Sequence, residues 1–139
     1  MTSFAESKNV IVVSDELPLG LAVNAASILS VTLGHRVDGL VGSDVKDANN
    51  IVHPGIICTP LPVLKTDSPD IARIIESALA EEEIFCVAFS SLAQSCKTYD
   101  EYIQRMGETP TAAIEAVAVA LVGPKKKVNK LIGSLPLLR

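Results

Sequence analysis

Apolar residues fall along this chain in two rhythms. The run NVIVVS, Asn9 to Ser14, is β-branched and bounded by polar residues, which predicts a buried strand. From about Gly20 to Leu33 the spacing changes. Leu21, Ala25, Ile28, Leu29 and Thr32/Leu33 recur at helical intervals, and Gly34 with His35 supplies a stop. The stretch VDGLVGSDVKDANNIVHPGI sets short apolar pairs among Gly, Asp and Asn, predicting a hairpin with DANN at its tip that projects from the main sheet. TPLPVLKTD reads as extended. Its prolines at 60 and 62 suit an edge or a strand entrance rather than a central strand.

SPDIARIIESALAEEE then predicts a helix capped by Ser68, with Pro69 in its first turn and an apolar face of Ile71, Ile74, Ile75, Ala78 and Leu79. EIFCVAFS predicts another buried strand, and YDEYIQRM a further helix. EAVAVALVGP has the run of a central strand. KKKVNKLI predicts a short helix with Val128, Leu131 and Ile132 inward and its lysines outward, and SLPLL a terminal strand. Strands alternating with helices imply an α/β sandwich with a mixed sheet. No internal repeat, low-complexity tract or linker interrupts it, and 139 residues suffice for one core, so residues 1–139 are expected to form a single domain.

Composition refines this picture. The chain is 48% hydrophobic and its mean hydropathy is +0.37, yet its apolar runs break well before the ~18 to 20 residues a spanning helix needs. No transmembrane segment is expected. The start, MTSFAESKNV, lacks the basic region and apolar stretch of a secretory signal, which points to the cytoplasm. Cys58, Cys86 and Cys96 are an odd count without metal-type spacing and fit reduced thiols. Cys86, inside IFCVAF, is expected in the core. Net charge is −4, but residues 125–139 hold Lys125, Lys126, Lys127, Lys130 and Arg139 with no acid, leaving −9 on the preceding segment. That basic tail can meet phosphates. A short lysine run more often forms a solvated face, and an acidic remainder with two Tyr and three Phe offers little for nucleic acid. VGPKKK lacks the glycine spacing of a phosphate-binding loop.

With the elements placed, VVSDELPLGLAVNAA, TPLPVL and VAVALVGPKKKVNKLIGSLPLL together resemble the DUF2000 family, uncharacterised proteins with the fold of the archaeal and eukaryotic type of peptidyl-tRNA hydrolase. The resemblance covers essentially the whole chain and implies a three-layer α/β/α sandwich with a mixed sheet, peptidyl-tRNA hydrolase II-like. That hydrolase carries D-L-x-M-G-K-G-K at its first strand, followed by paired alanines and a glutamine on the helix. Laid on this chain, Glu16 takes the acid position, or Asp15 if the turn differs by one residue. Leu17, Leu19 and Gly20 follow. Leu21 falls where the hydrolase has its functional lysine, Ala22 and Val23 replace the next glycine and lysine, Ala25 and Ala26 match the alanines, and Ser27 replaces the glutamine. A second motif, D-A-G-R-T, corresponds to RMGET, which keeps Gly107 and Thr109 but has Arg105 in place of the aspartate. Loss of a lysine and exchange of a carboxylate for a guanidinium remove the groups that move protons, so the standard hydrolytic constellation is incomplete.

The candidate site residues are therefore Asp15, Glu16, Gly20, Asn24, Arg105, Gly107 and Thr109. Asp15 and Glu16 stand between strand and helix, where an acid caps N–H groups or holds a ligand. Gly20, Asn24, Ser27 and Val31 form a narrow stripe of mostly small or polar residues, either close-packed or a pocket wall whose amide orients a polar ligand. Thr109, and less so Thr111, offers a hydroxyl, and Arg105 a fixed charge suited to a carboxylate or phosphate. His35 and His53 belong to no triad or metal spacing. No cofactor or metal is expected. Two readings stand: a domain binding a small polar or anionic ligand or a partner, with room for a homo-oligomer, and a hydrolase of ester-linked, peptidyl-tRNA-like substrates working through a rewritten site.

Overall fold

A computed structural model describes residues 6–139. The reading of the N-terminus as no secretory signal rests partly on residues 1–5, outside the described residues. The core is a four-stranded sheet built from β1 (Ser7–Ser14), β4 (Val63–Thr66), β5 (Phe85–Ser90) and β6 (Ala116–Pro124), in the order β4-β1-β6-β5. β1 runs parallel to β4, pairing Ile11 with Val63 through Ser14 with Thr66. It runs antiparallel to β6, from Ser7 opposite Pro124 to Val13 opposite Ala118, and β5 closes the other side of β6 antiparallel. The sheet is mixed. β6 is central, and β4 is the edge strand its prolines announce.

Alternation along β1 assigns its two faces. Val10 and Val12, with Val119 and Leu121, pack under α2 (Ser68–Leu79) and α5 (Lys125–Ile132) through Ile71, Ile74, Ala78, Val128 and Ile132. Ile11 and Val13, with Ala118 and Ala120, pack under α1 (Leu19–Arg36) through Ala22, Ala25, Leu29 and Leu33. Helices thus cover both faces. Small residues on β6 and on α1 let that helix lie close to the sheet.

Several local expectations change. α1 does not stop at Gly34 but continues to Arg36, where the Val37 N–H still donates to the Leu33 carbonyl (2.9 Å). A glycine ends a helix only where the chain turns left-handed, and that turn is taken later, by Gly39 at φ 74°. Asp67, not Ser68, caps α2, accepting from the Asp70 N–H (2.8 Å), while the Ser68 hydroxyl pairs with that of Ser14 (3.0 Å). Both side chains can cap; Ser68 lies one residue inside the helix. Leu79 ends α2 exposed. SLPLL does not form a full strand. It follows the β4 edge through one bridge, Leu64 with Leu137, and two backbone bonds, Lys65 N–H to Pro136 (3.0 Å) and Leu138 N–H to Val63 (2.8 Å).

The projecting hairpin is present as a separate two-stranded sheet of β2 (Val45–Lys46) and β3 (Val52–His53). Asp47 organises its tip. One carboxylate oxygen accepts from the N–H groups of Asn49 and Ile51 (2.8 and 3.1 Å), the other meets His53 Nε2 at 2.9 Å, and Asn50 takes the left-handed conformation at φ 63°. The His53 bond and the two N–H groups hold the Asp47 carboxyl below the ordinary carboxylate range.

Candidate functional site

β5 leads into two helices on the α1 side: α3 (Ser91–Ser95), which the sequence pattern did not signal, and α4 (Tyr99–Gly107). Each has a hydroxyl cap. Ser90 Oγ accepts from the Ala93 N–H (3.1 Å), and Thr98 Oγ1 from the Glu101 N–H (3.1 Å), while Glu101 reaches back to the Lys97 N–H (3.0 Å). This reciprocal capping fixes the bend between the two helices. A cleft of about 480 Å³ opens beneath it, between Ile28, Leu29 and Thr32 of α1, Val87 and Phe89 of β5, and Cys96, Lys97, Tyr99 and Tyr102. The two tyrosine rings meet edge to face, centroids 5.5 Å apart at 78°.

Of the candidates from the two signature segments, Asn24 and Arg105 each bond to α3 without meeting directly. Gln94 Nε2 donates to the Leu21 carbonyl (3.2 Å) and to Asn24 Oδ1 (3.4 Å), tying α3 to the first turns of α1. On the next residue, Ser95 Oγ accepts from Arg105 Nη1 (2.9 Å). The same nitrogen reaches Cys96 Sγ (3.6 Å) and Glu101 Oε1 (3.4 Å). Arg105 is therefore partly matched by Glu101 and rests against a thiol that lines the cleft. Thr109 donates its hydroxyl to the Arg105 carbonyl (2.6 Å) at the end of α4. Gly107 and Gly20 are exposed, and a Cβ on either would meet nothing within 4 Å, so neither is required by close approach.

Asp15 and Glu16 lie apart from this group. Asp15 continues the β1–β4 ladder through its N–H to the Thr66 carbonyl (2.9 Å), and the Glu16 N–H reaches the buried Ser14 hydroxyl (3.3 Å). Glu16 lines a smaller cavity of about 270 Å³ with Ser68, Pro69 and Ile114–Ala116, which contains neither Asn24 nor Thr109. Asn24 and Thr109 line neither that cavity nor the cleft beside α3, so Glu16, Asn24 and Thr109 do not surround one concavity.

Cys86 faces the α2 layer, and burial pushes its thiol up to about 11. It is a core residue. Among the described residues no group of three or more His, Cys, Asp or Glu side chains is placed to hold a metal ion. Gln94, Ser95, Tyr99 and Tyr102 escaped the sequence reading. The Thr98-x-x-Glu101 capping pattern was the available signal for the start of α4, but nothing local marks α3 or the cleft it roofs.

These elements define an α/β domain with a four-stranded mixed sheet and five helices among the described residues. The model of the family described as protein of unknown function (DUF2000) matches residues 7–139, and the chain belongs to that family. None of the curated proteins matches the sequence. A solved structure of a protein of unknown function from Agrobacterium tumefaciens str. C58 is similar over 96% of this chain and 98% of that one, with a TM-score of 0.87 at 16% identity. At that identity the likeness speaks for the fold alone.

Proposed function

We propose that this chain is a peptidyl-tRNA hydrolase II-like domain that binds rather than hydrolyses, taking a small anionic molecule with an apolar body into the cleft between α1, β5 and α4. The observation that carries the reading is the cleft itself, whose walls are aliphatic and tyrosyl while Lys97 lines it and Arg105 stands one turn beyond Tyr102. Apolar walls with a few placed polar groups are what a ligand site requires.

The alternative, hydrolysis of an ester-linked substrate, has less support. Among the described residues the cleft's ionisable lining groups are Cys96, Lys97 and two tyrosines, with no carboxylate or imidazole to act as a general base, and Leu21 stands where the hydrolases that the sequence resembles have their lysine. Three free cysteines favour a reducing, cytoplasmic compartment. Among the described residues no helix is long and apolar enough to cross a membrane.

Native mass spectrometry of the purified protein, followed by thermal-shift titration with arylalkyl carboxylates, tests the reading. Saturable stabilisation that is lost in Tyr102→Ala and weakened in Lys97→Gln is expected. Release of peptide from a model peptidyl-tRNA at a rate comparable to an authentic hydrolase, abolished by Thr109→Ala, would overturn it in favour of the enzyme.

A further inference from the structure

We propose a second site, for a small aliphatic polyamine, at the opposite end of β5, where α1 stops short of the sheet. The α1-facing row of β1 runs outward from Val13 and Ile11 to Asn9 and Ser7, but α1 ends at Arg36. The uncovered end of the sheet forms a cavity of about 1000 Å³ between β1, the end of β6, the start of β5 and the turn after α1.

Asn9 is the first sign that this space is polar for a reason. It follows the apolar Val13 and Ile11 in that row and is only 3% exposed. Its Nδ2 donates to Thr59 Oγ1 (2.6 Å), whereas its Oδ1 has no protein partner among the described residues. No fully buried side-chain polar atom among those residues lacks a partner, so Oδ1 is open to the cavity that Asn9 lines. A buried amide with one atom aimed into a cavity favours a complementary polar ligand.

Charge specifies the ligand. Asp38, Glu82 and Glu83 line the cavity, and only Glu83 has an ion-pair partner among the described residues, Lys127 at 2.7 Å. The carbonyl end of α1 adds partial negative charge. Arg36, the lining cation among the described residues, has its guanidinium 5.2 Å over the Phe85 ring. The space therefore presents acceptors and uncompensated negative charge around an apolar wall of Phe85, Ile84 and Val122. A slender cation with N–H donors at its ends and methylenes between matches this arrangement; an anion is repelled.

Titration of the full-length protein with spermidine, followed by calorimetry and by NMR amide shifts, tests the assignment. Saturable binding is expected, with shifts concentrated at the Asn9 side-chain amide, residues 36–39 and Gly123. Asp38→Asn with Glu82→Gln should weaken it by about tenfold. The remote pair Glu76→Gln with Glu108→Gln removes the same charge from exposed positions and should change it less than about twofold. Absence of saturable binding, shifts elsewhere on the molecule, or an equal loss in both double variants overturns the site.

Discussion

Replacing Ile132 by alanine asks whether the basic C-terminal helix is an anchor or an appendage. Ile132 is 3% exposed and packs with Val128 against Ile74 and Ala78 on the α2 face of the sheet. Truncation of such a side chain removes its transfer free energy and leaves a cavity, together about 2–5 kcal/mol, and the last turn of a short helix can settle into part of that space. A loss of about 2–3 kcal/mol is expected. For a domain of this length each kcal/mol lowers the melting midpoint by roughly 2–5 °C, so Ile132→Ala should melt roughly 5–12 °C below the parent. Leu131, half-buried rather than fully inward, should show about half that shift on Leu131→Ala. Lys126→Gln with Lys130→Gln, both exposed, should barely move the midpoint. Thermal melts followed by circular dichroism at one ionic strength supply all three values. An Ile132→Ala midpoint within about 2 °C of the parent, or a lysine pair that shifts it as far as Ile132→Ala, would refute the anchoring argument.

Two further outcomes follow from the electrostatics. Lys127 bonds to Glu81 and Glu83 (2.7 Å each), so it is not the free solvated lysine its sequence position suggested. The carboxylates, Glu81 first, raise the Lys127 pKa, and Lys127 lowers that of Glu81. The stabilising contribution is present above the unfolded carboxyl value near ~4.3 and lost as pH falls through the lowered Glu81 pKa. It is likewise present below the unfolded lysine value near ~10.4 and lost as pH rises through the raised Lys127 pKa. The midpoint difference between the parent and Lys127→Met should thus be level at intermediate pH and shrink at both extremes; a difference that stays constant would show the ion pairs contribute nothing. The cysteines should react in order of access. At pH 8 a disulfide reagent should modify exposed Cys58 first, and Cys86, with its thiol pushed up to about 11, only on unfolding, as peptide mapping would reveal.

What the sequence made legible was whatever burial writes into periodicity. β1, β6 and α2 each bury a face or both faces, so their apolar residues recur at strand or helix spacing, and the hairpin tip carries an Asp and Asn chemistry that works locally. Features settled by tertiary contact were not legible. α1 runs through Gly34 because the Leu33 carbonyl still finds the Val37 N–H. The five-residue α3 is too short for any period to register. Only the packing of α3 decides that Asn24 and Arg105 bond to adjacent residues of it, Gln94 and Ser95, while Glu16 shares a cavity with Ser68 and Ile114. The role of Asn9 depends on where α1 ends, which no residue near Asn9 specifies.

The position of β6 in the sheet has a consequence for how this protein is made. β6 pairs with β1 across separations of 105 to 117 residues and is also the partner of β5. A chain emerging from the ribosome at about 5–20 residues per second delivers β6 roughly 5–25 s after β1. In the interval the apolar strands Val10–Val13 and Phe85–Phe89 have no β6 to close on, and only β4 can pair with β1. The β6-facing edge of β1 therefore stays open throughout that interval and that of β5 for a shorter one, and apart from the β1–β4 pair the sheet closes in a late, long-range step.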